Sequence, residues 1–503
     1  MELGQPEEVV GLTVVTTLSP VVTKPPEPFS HDIQSFINSF ADDIADGTAA
    51  VFAGAGLSVA SGYVDWRGLM RDIANELGLS VDRETNLVAV AQYHLNERRN
   101  RSRINQKIID EFIAGHVLND NHKILARLPI ATYWTTNYDR MIETALEASG
   151  KVVDVKHSVS QLKTNVRGNQ ARVYKMHGDA GDPDHAVLTK DDYEGYFRDR
   201  EPFVTALSGD LVSKTILFVG FSFSDPNIDY VMSRVRVVLR HQPKQHYCIL
   251  RSESRRPREK LVDFEYRQRQ QNYFVKDLAR TGVHALMVSE YSDVTRILSA
   301  IEARYRTQTV FISGSAYQFD PWRPDDAARF IEALGAALVA KKFNVVTGFG
   351  LGVGPSVIAG ALQKILANPK RHFPTQLQAH PFPVDPGSAA SRRALYRPHR
   401  EAMIEKAGIA IFLFGNKRDG RGKIVRADGM EEEFQIAQSK GLHVIPVGAT
   451  GWVAQEISSA LATSIAARSR AFRKAFAVAN DPKASSDSIL ESVLLMVGEF
   501  RDL

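Results

Sequence analysis

At 503 residues the chain is too long for a single hydrophobic core, and with 44% hydrophobic and 24% charged residues it has the composition of a soluble globular protein of several domains. Basic residues number 62 against 58 acidic, a formal charge of +4 that is too dilute to point to nucleic acid, and no apolar run of about 18 residues is available to span a bilayer. The single cysteine, Cys248, excludes an intrachain disulfide and any thiolate zinc site.

Residues 1–29 are rich in Thr, Val and Pro and end in Lys24-Pro25-Pro26-Glu27-Pro28, which suits a tail or tether. The start, Met1-Glu2-Leu3-Gly4, lacks the basic opening of a secretory signal, so the cytoplasm is the expected compartment. Ser30 reads as an N-cap, and Ile33, Phe36, Ile37, Phe40 and Ile44 follow at helical spacing up to Gly47. The apolar run Val51-Phe52-Ala53 then breaks into Gly54-Ala55-Gly56-Leu57-Ser58, a strand, turn and helix of the kind that cradles a diphosphate. Glycines there let bare backbone approach phosphate oxygens, and free N–H groups at the start of the helix face the negative charge.

Short apolar runs at 131–135, 172–176, 216–219, 247–250 and 284–288 alternate with helical stretches, a pattern that predicts a parallel sheet covered by helices. Cys248 falls in one of these runs and reads as a small core residue. The charged stretch 251–260 reads as a solvated loop.

Near 303–307 the pattern restarts. A strand at 309–315 runs into Gly314-Ser315, and a second at 344–347 enters Gly348-Phe349-Gly350-Leu351-Gly352-Val353-Gly354-Pro355. Strands at 409–414 and 443–447 complete a second open α/β unit, with ligand contacts expected at the carboxyl ends of its strands. The halves share no evident repeat. The expected organisation is therefore a tail over 1–29 and two different Rossmann-like α/β domains over 30–305 and 306–503.

Four motifs in the first half occur together in one order. They are Gly54-Ala55-Gly56-Leu57-Ser58 with Ser61-Gly62, Thr136-Asn137-Tyr138-Asp139, His177-Gly178-Asp179, and the run from Gly220 through Ser222 and Asp225 to Asn227. On these residues the segment resembles the sirtuin superfamily over roughly 31–300. The resemblance implies an NAD site with Asn137 and His177 at the reaction centre. It also implies cofactor contacts at Ala53, Gly54, Gly56, Ser58 and Asp65 on the first loop, at Asp139, and at Gly220, Ser222, Asp225 and Asn227.

Two departures narrow the expected chemistry. Protein-deacylating sirtuins carry a zinc module of two cysteine pairs, which one cysteine cannot supply, and Tyr63-Val64-Asp65-Trp66-Arg67 lacks the usual nicotinamide clamp. Cleavage of the nicotinamide–ribose bond by water remains, ahead of a deacylase or a noncatalytic nucleotide-binding scaffold. Nicotinamide in NAD+ is already a cationic leaving group, so the protein must stabilise a ribosyl cation and aim a water. Asn137 can hold the water and a ribose hydroxyl together, and His177 can take a proton near neutrality. Asp139 either favours the cation electrostatically or fixes its loop by accepting backbone N–H groups.

The second half, roughly 308–503, resembles the SLOG superfamily of nucleotide sensors through Ser313-Gly314-Ser315, the 348–354 loop, and Gly415-Asn416-Lys417 followed by Met430-Glu431-Glu432-Glu433. Nucleotide-hydrolysing relatives carry Pro-Gly-Gly-x-Gly-Thr ahead of their catalytic Glu, where this chain has Arg426-Ala427-Asp428-Gly429-Met430, so sensing is expected. The resemblance implies a ligand site at Gly314, Ser315, Gly348, Gly350 and Gly352, with Arg397, Arg400 and Lys417 for phosphate and Glu432 or Glu433 for ribose hydroxyls. Arg392 and Arg393 read as a charged helix face.

A sirtuin-like domain followed by this sensor resembles the NAD-degrading effectors of the bacterial Thoeris antiphage system. That resemblance implies a TIR-domain cyclase partner (ThsB), a cyclic ADP-ribose isomer as activator, self-association into homotetramers or larger forms, and NAD+ as substrate with no metal.

Overall fold

The computed structural model describes residues 28–223, 225–238, 244–383 and 387–501, so the tail expected over 1–29 lies almost wholly outside the described residues. Contacts divide the chain into one unit of Phe29–Glu302 and another that begins at Ala303.

In the first unit the Ser30 hydroxyl accepts the Ile33 N–H at 3.3 Å and opens α1 (His31–Ala45), whose apolar stripe Ile33, Phe36, Ile37, Phe40, Ala41 and Ile44 is buried. Seven strands follow: β1 (Ala49–Ala53), β2 (Thr132–Thr135), β3 (Val153–Lys156), β4 (Ala171–Lys175), β5 (Thr215–Val219), β6 (His246–Arg251) and β7 (Val283–Val288). They pair in the order β3-β4-β2-β1-β5-β6-β7, all parallel. Every residue of β1 and β5 is buried, as expected for central strands covered on both faces.

Between β1 and β2 lie α2 (Ala55–Val59), α3 (Trp66–Glu76), α4 (Leu87–Arg98), α5 (Ser102–Phe112) and α6 (Asp120–Arg127). Of these, α3, α4 and α5 share a small core with Leu69, Met70, Ile73, Val90, Ile104 and Ile108 at its centre. The remaining helices are α7 (Met141–Ala148), α8 (Lys190–Asp199), α9 (Glu201–Ser213), α10 (Pro226–Val238), α11 (Leu261–Arg280) and α12 (Ser292–Arg306). A larger core joins Phe52, Trp134, Phe203 and Phe218 to Ile228 and Val231 of α10. Each such side chain contributes roughly 1.5–3 kcal/mol on burial.

The chain leaves β1 for β2 on one side and later returns to β5 on the other. β1 is therefore the switch point, the place where open parallel sheets take ligands at the carboxyl ends of their strands, here β1, β2 and β5. The first-unit motifs singled out in the sequence stand at these strand ends and at that of β4.

The second unit carries β8 (Thr309–Ser315), β9 (Asn344–Thr347), β10 (Leu377–Ala379), β11 (Ile409–Phe414), β12 (Asn416–Arg418), β13 (Ile424–Arg426) and β14 (His443–Val447). Five of these form a parallel sheet in the order β10-β9-β8-β11-β14, with β8 at the switch point. β12 and β13 make a separate antiparallel hairpin. Helices α13 (Pro324–Ala340), α14 (Gly354–Ala367), α15 (Ala389–Ile404), α16 (Asp428–Ser439), α17 (Trp452–Leu461), α18 (Arg470–Ala479) and α19 (Ser486–Arg501) complete the unit.

The expected strands are present with ends shifted by a residue, or by two at the start of β1, whereas β3, β10 and the hairpin were not anticipated. β3 reads Val-Asp-Val-Lys and has no apolar run to announce it. Its buried Asp154 is held by Lys156 at 2.7 Å and by Arg172 of β4 at 3.0 Å. Among the described residues no helix is long and apolar enough to cross a membrane.

Candidate functional site

The turn after β1 and the turn after β5 cross with their backbones in contact. Gly220 has φ +63°, and a Cβ on it would lie 2.2 Å from Leu57 N and 2.7 Å from the Gly56 carbonyl carbon. The same crossing leaves no room for a side chain at Gly54 or Gly56, whose Cβ atoms would meet Gly220 O at 2.5 and 2.9 Å. Gly54 N–H donates to Val219 O at 3.0 Å and Gly56 N–H to Gly220 O at 2.9 Å, so these two N–H groups serve the crossing itself. The following helix α2 is only five residues long and its dipole is correspondingly small. The glycines build the crossing of the turns after β1 and β5.

Asn137, at the exit of β2, is buried against this crossing. Its Nδ2 donates to Gly54 O at 3.1 Å and approaches Ser58 Oγ at 3.4 Å, while its own N–H donates to Thr135 Oγ1 at 2.9 Å. Asp139 accepts the Met141 N–H at 3.0 Å, which is the loop-fixing member of its two expected roles.

Beneath this loop sits Lys175, the last residue of β4, fully buried. Its ammonium donates to Tyr138 O at 3.2 Å, to Asp139 O, and to Glu143 Oε1 at 3.0 Å, and pairs with Asp179 Oδ2 at 2.8 Å. Burial works to lower its pKa, but Glu143 and Asp179 outweigh burial and hold the ammonium above its ordinary value. One side chain thus ties the Asn137 loop to the strand that delivers His177 two residues later.

His177 is 5% exposed and Asp225 6%. His177 Nε2 stands 2.9 Å from Asp225 Oδ2, an oblique approach in which Nε2 lacks an aligned acceptor. The rings of Tyr193 and Tyr196 meet the imidazole edge-on at 5.6 and 6.2 Å. The other Asp225 oxygen accepts from Asn227 N at 2.9 Å and Ile228 N at 3.2 Å, capping α10. Burial pushes the Asp225 carboxyl up; the facing His177 and the two N–H donors more than offset it and leave the carboxyl below the usual range.

In the second unit a cavity of about 200 Å³, open to solvent, lies at the carboxyl ends of β8, β9 and β11. Gly314, Ser315, Gly348 and Gly350 line its backbone side, and Arg400, Lys417 and Glu433 its charged side. Gly350 is obligatory, since a Cβ there would lie 2.0 Å from Gly314 O. The Arg400 guanidinium rests over the Phe382 ring at 4.8 Å and donates to Glu432 at 2.6 Å and to Glu433 at 3.4 Å. Glu433 also accepts the Ser313 hydroxyl at 2.6 Å, and burial raises its carboxyl above the usual range against both partners. Lys417 pairs with Asp428.

With both sites described, relatives can be set beside them. Residues 131–276 match the SIR2-like domain family and residues 293–500 the Sir2- and TIR-associating SLOG family. The chain is 45% identical over 470 residues to the NAD(+) hydrolase ThsA of Bacillus cereus (strain MSX-D12), covering 92% of this chain and 98% of that protein. The chain belongs to the ThsA family. It is also 43% identical over 434 residues to the NAD(+) hydrolase ThsA of Acinetobacter baumannii (strain 532279), covering 85% and 90% of the two chains. A more distant match, 25% identical over 250 residues, is the Defense-associated sirtuin 2 of Bacillus subtilis, with 47% of this chain and 24% of that protein covered.

In this ThsA-family chain several residues expected at the sites do other work. Asp65 is exposed and caps α3 by accepting Gly68 N–H at 2.8 Å. Ala53 is fully buried as the last residue of β1, where only its backbone is available. Ser222 is exposed on the loop after β5, while Asn227 is 3% exposed and its Nδ2 has no hydrogen-bond partner. Asp225, expected near a ribose, faces His177. In the second unit Gly352, Arg397 and Glu432 lie outside the cavity lining. Gly352 (φ +74°) packs on Ala316, and Arg397 reaches Glu401 at 3.1 Å and Glu432 at 3.6 Å. Of the two candidate glutamates, Glu433 faces the cavity.

Sequence reasoning met Lys175 and Ser313 only as parts of motifs, with no role for either, and missed Phe382. A charged residue ending the apolar β4, two positions before His177, was the one available signal for Lys175. Phe382 and Ser313 matter through contacts 18 and 120 residues away, which no local pattern encodes.

Proposed function

We propose that this chain hydrolyses the bond between nicotinamide and ribose in NAD+, releasing nicotinamide and ADP-ribose, under the control of a cyclic ADP-ribose isomer bound in the second unit. The observation that supports the first part is the placement of Asn137 and His177 two residues past the ends of neighbouring strands β2 and β4, with Lys175 bonded to the Asn137 loop from the end of β4. Asn137 positions the ribose and the attacking water, and His177 takes the proton released as water adds. Bond breaking leaves a ribosyl cation, and the carboxylates of Asp139 and Asp179 stand beside the single Lys175 ammonium, a field that favours positive charge, while burial raises the Glu143 carboxyl.

The control site is the cavity of about 200 Å³ between Arg400, Lys417 and Glu433. Its two cations suit a diphosphate, Glu433 suits a ribose hydroxyl, and Phe382 backs the Arg400 fork. Arg400 is held by Glu432 at 2.6 Å, so an arriving phosphate must exchange with that carboxylate. Such exchange shifts a resting population toward the active one only by the ligand's difference in affinity for the two, about 5.5 kcal/mol for a near-complete switch. Assembly into tetramers or larger forms pools several ligands toward that figure. A TIR-domain cyclase supplying the isomer on infection, with NAD+ depletion as the antiphage outcome, completes the reading.

The test is direct. Purified protein is given NAD+ with and without a panel of cyclic ADP-ribose isomers, and nicotinamide is followed. One isomer accelerating release supports both parts; release of O-acyl-ADP-ribose from an acyl-lysine peptide would replace the hydrolase by a deacylase.

A further inference from the structure

The environment of His177 defines which of its two nitrogens can act. Nε2 is 2.9 Å from Asp225 Oδ2 inside a buried site. Asp225 is not free to turn away, because its second oxygen holds the Asn227 and Ile228 N–H groups at the start of α10. A carboxylate fixed by two backbone donors accepts and does not donate, so the imidazole nitrogen facing it is stabilised as N–H. The proton then resides on Nε2, and Nδ1 carries the lone pair. Hydrogen bonds of this kind are often misaligned in ligand-free enzymes and straighten when substrate arrives, which accounts for the oblique approach.

We infer that Asp225 is a positioning residue for His177, fixing the tautomer with hydrogen on Nε2, so that Nδ1 is the atom that accepts the proton from the water or ribose hydroxyl. This rests on the hydrolase reading above, and it moves Asp225 from ribose contact to support of the base. Protonation of Nδ1 gives an imidazolium whose charge is balanced at once by Asp225. The proton later leaves from Nδ1 to solvent, and no other group is oxidised or reduced.

The ionisable groups around His177 are few. Asp225 faces it from the cap of α10, and Tyr193 and Tyr196 face it from α8 with phenols that burial pushes upward and keeps neutral. Lys175 and Asp179, on its own strand exit, are paired with each other at 2.8 Å. Asp192 and Arg200 act on the same tyrosines but are engaged elsewhere, Asp192 with Arg101 at 2.8 Å and Arg200 with the His157 and His185 carbonyls, which leaves Asp225 as the carboxylate set against the imidazole itself.

The experiment compares wild type with Asp225→Asn, in which the amide oxygen still caps α10 and the fold is kept. Its amide nitrogen now faces Nε2, favours that nitrogen bare, and moves the proton to Nδ1. Nitrogen-15 spectra of histidine-labelled protein, with His177 assigned by its loss in His177→Gln, should show hydrogen on Nε2 in wild type and on Nδ1 in the variant. Turnover should fall by more than about 100-fold with KM within about threefold, and the acid limb of the kcat/KM profile should move to lower pH. Hydrogen on Nδ1 in wild type overturns the inference, as does a rise in KM at unchanged kcat, the mark of a ribose contact. Should Asp225→Asn not fold, the wild-type spectrum still decides the tautomer. A wild type that releases no nicotinamide under any activator sinks the hydrolase reading and the proton-acceptor role with it, whereas the tautomer stands or falls on the spectrum alone.

Discussion

Asn137 Nδ2 donates to the carbonyl of Gly54 at 3.1 Å, a bond that spans 83 residues and joins the exit of β2 to the turn after β1. The glycine turn is in turn locked to β5 by the Gly220 crossing. The residue proposed to hold the ribose is therefore positioned by backbone contacts among three strand ends.

Gly220→Ala should break that arrangement. The added Cβ would stand 2.2 Å from Leu57 N on backbone with φ +63°. Left-handed strain alone costs about 1–2 kcal/mol, and the backbone clash adds to it. Thermal melting should show a drop of several degrees or more together with loss of nicotinamide release. A variant that melts like wild type would contradict the close crossing.

Lys175→Met removes the sole ammonium from a buried group of carboxylates. Leaving such charges uncompensated costs roughly 3–5 kcal/mol, which denaturant titration would register as a lower midpoint. Adding Glu143→Leu should recover part of the loss, because the replaced pair then becomes apolar. Equal stability of the single and double variants would argue against a coupled network.

His122 supplies a pH prediction. It is buried against Val51, Leu57, Leu125 and Tyr133 with Nδ1 2.9 Å from Asn119 Oδ1, and burial pulls its pKa from 6.5 down to about 4. Between those values the unfolded chain binds a proton that the folded chain does not. Stability therefore falls as pH drops from about 6.5 to 4, by about 1.4 kcal/mol per unit for this group. His122→Leu, which suits the apolar lining, should flatten the slope of unfolding free energy over that window by one proton. An unchanged slope would show that His122 is protonated in the folded protein.

At the second cavity, Arg400→Lys keeps the charge but gives up the fork and the stacking on Phe382 at 4.8 Å. Calorimetry with an activating cyclic ADP-ribose isomer should show affinity lower by at least about tenfold, or about 1.4 kcal/mol, and Arg400→Ala should abolish binding. Wild-type affinity in Arg400→Ala would place the phosphate elsewhere.

Much of this was legible in the residues themselves. Apolar runs gave the central strands because β1 and β5 are buried on both faces, and Ser30 with its stripe gave α1. The motifs gave the right loops because ligand sites of open parallel sheets gather at strand ends. What they did not give was the partner of each side chain. Asp225 and His177 lie 48 positions apart, and nothing local marks the carboxylate as facing the imidazole rather than a ribose. Glu432 and Glu433 differ only in the helical angle at which α16 presents them, so the choice between them required the packing of Arg400 and Ser313. Glycines 54 and 56 looked like phosphate-facing backbone, yet close chain crossing demands glycine just as strongly.

The central claim is that Asn137 and His177 cleave NAD+ with water, and following nicotinamide and ADP-ribose from NAD+ in activated wild type, Asn137→Ala and His177→Ala tests it most directly. Equimolar nicotinamide and ADP-ribose from wild type, with neither product from either folded variant, is the predicted result. Undiminished release by His177→Ala or Asn137→Ala would contradict the account.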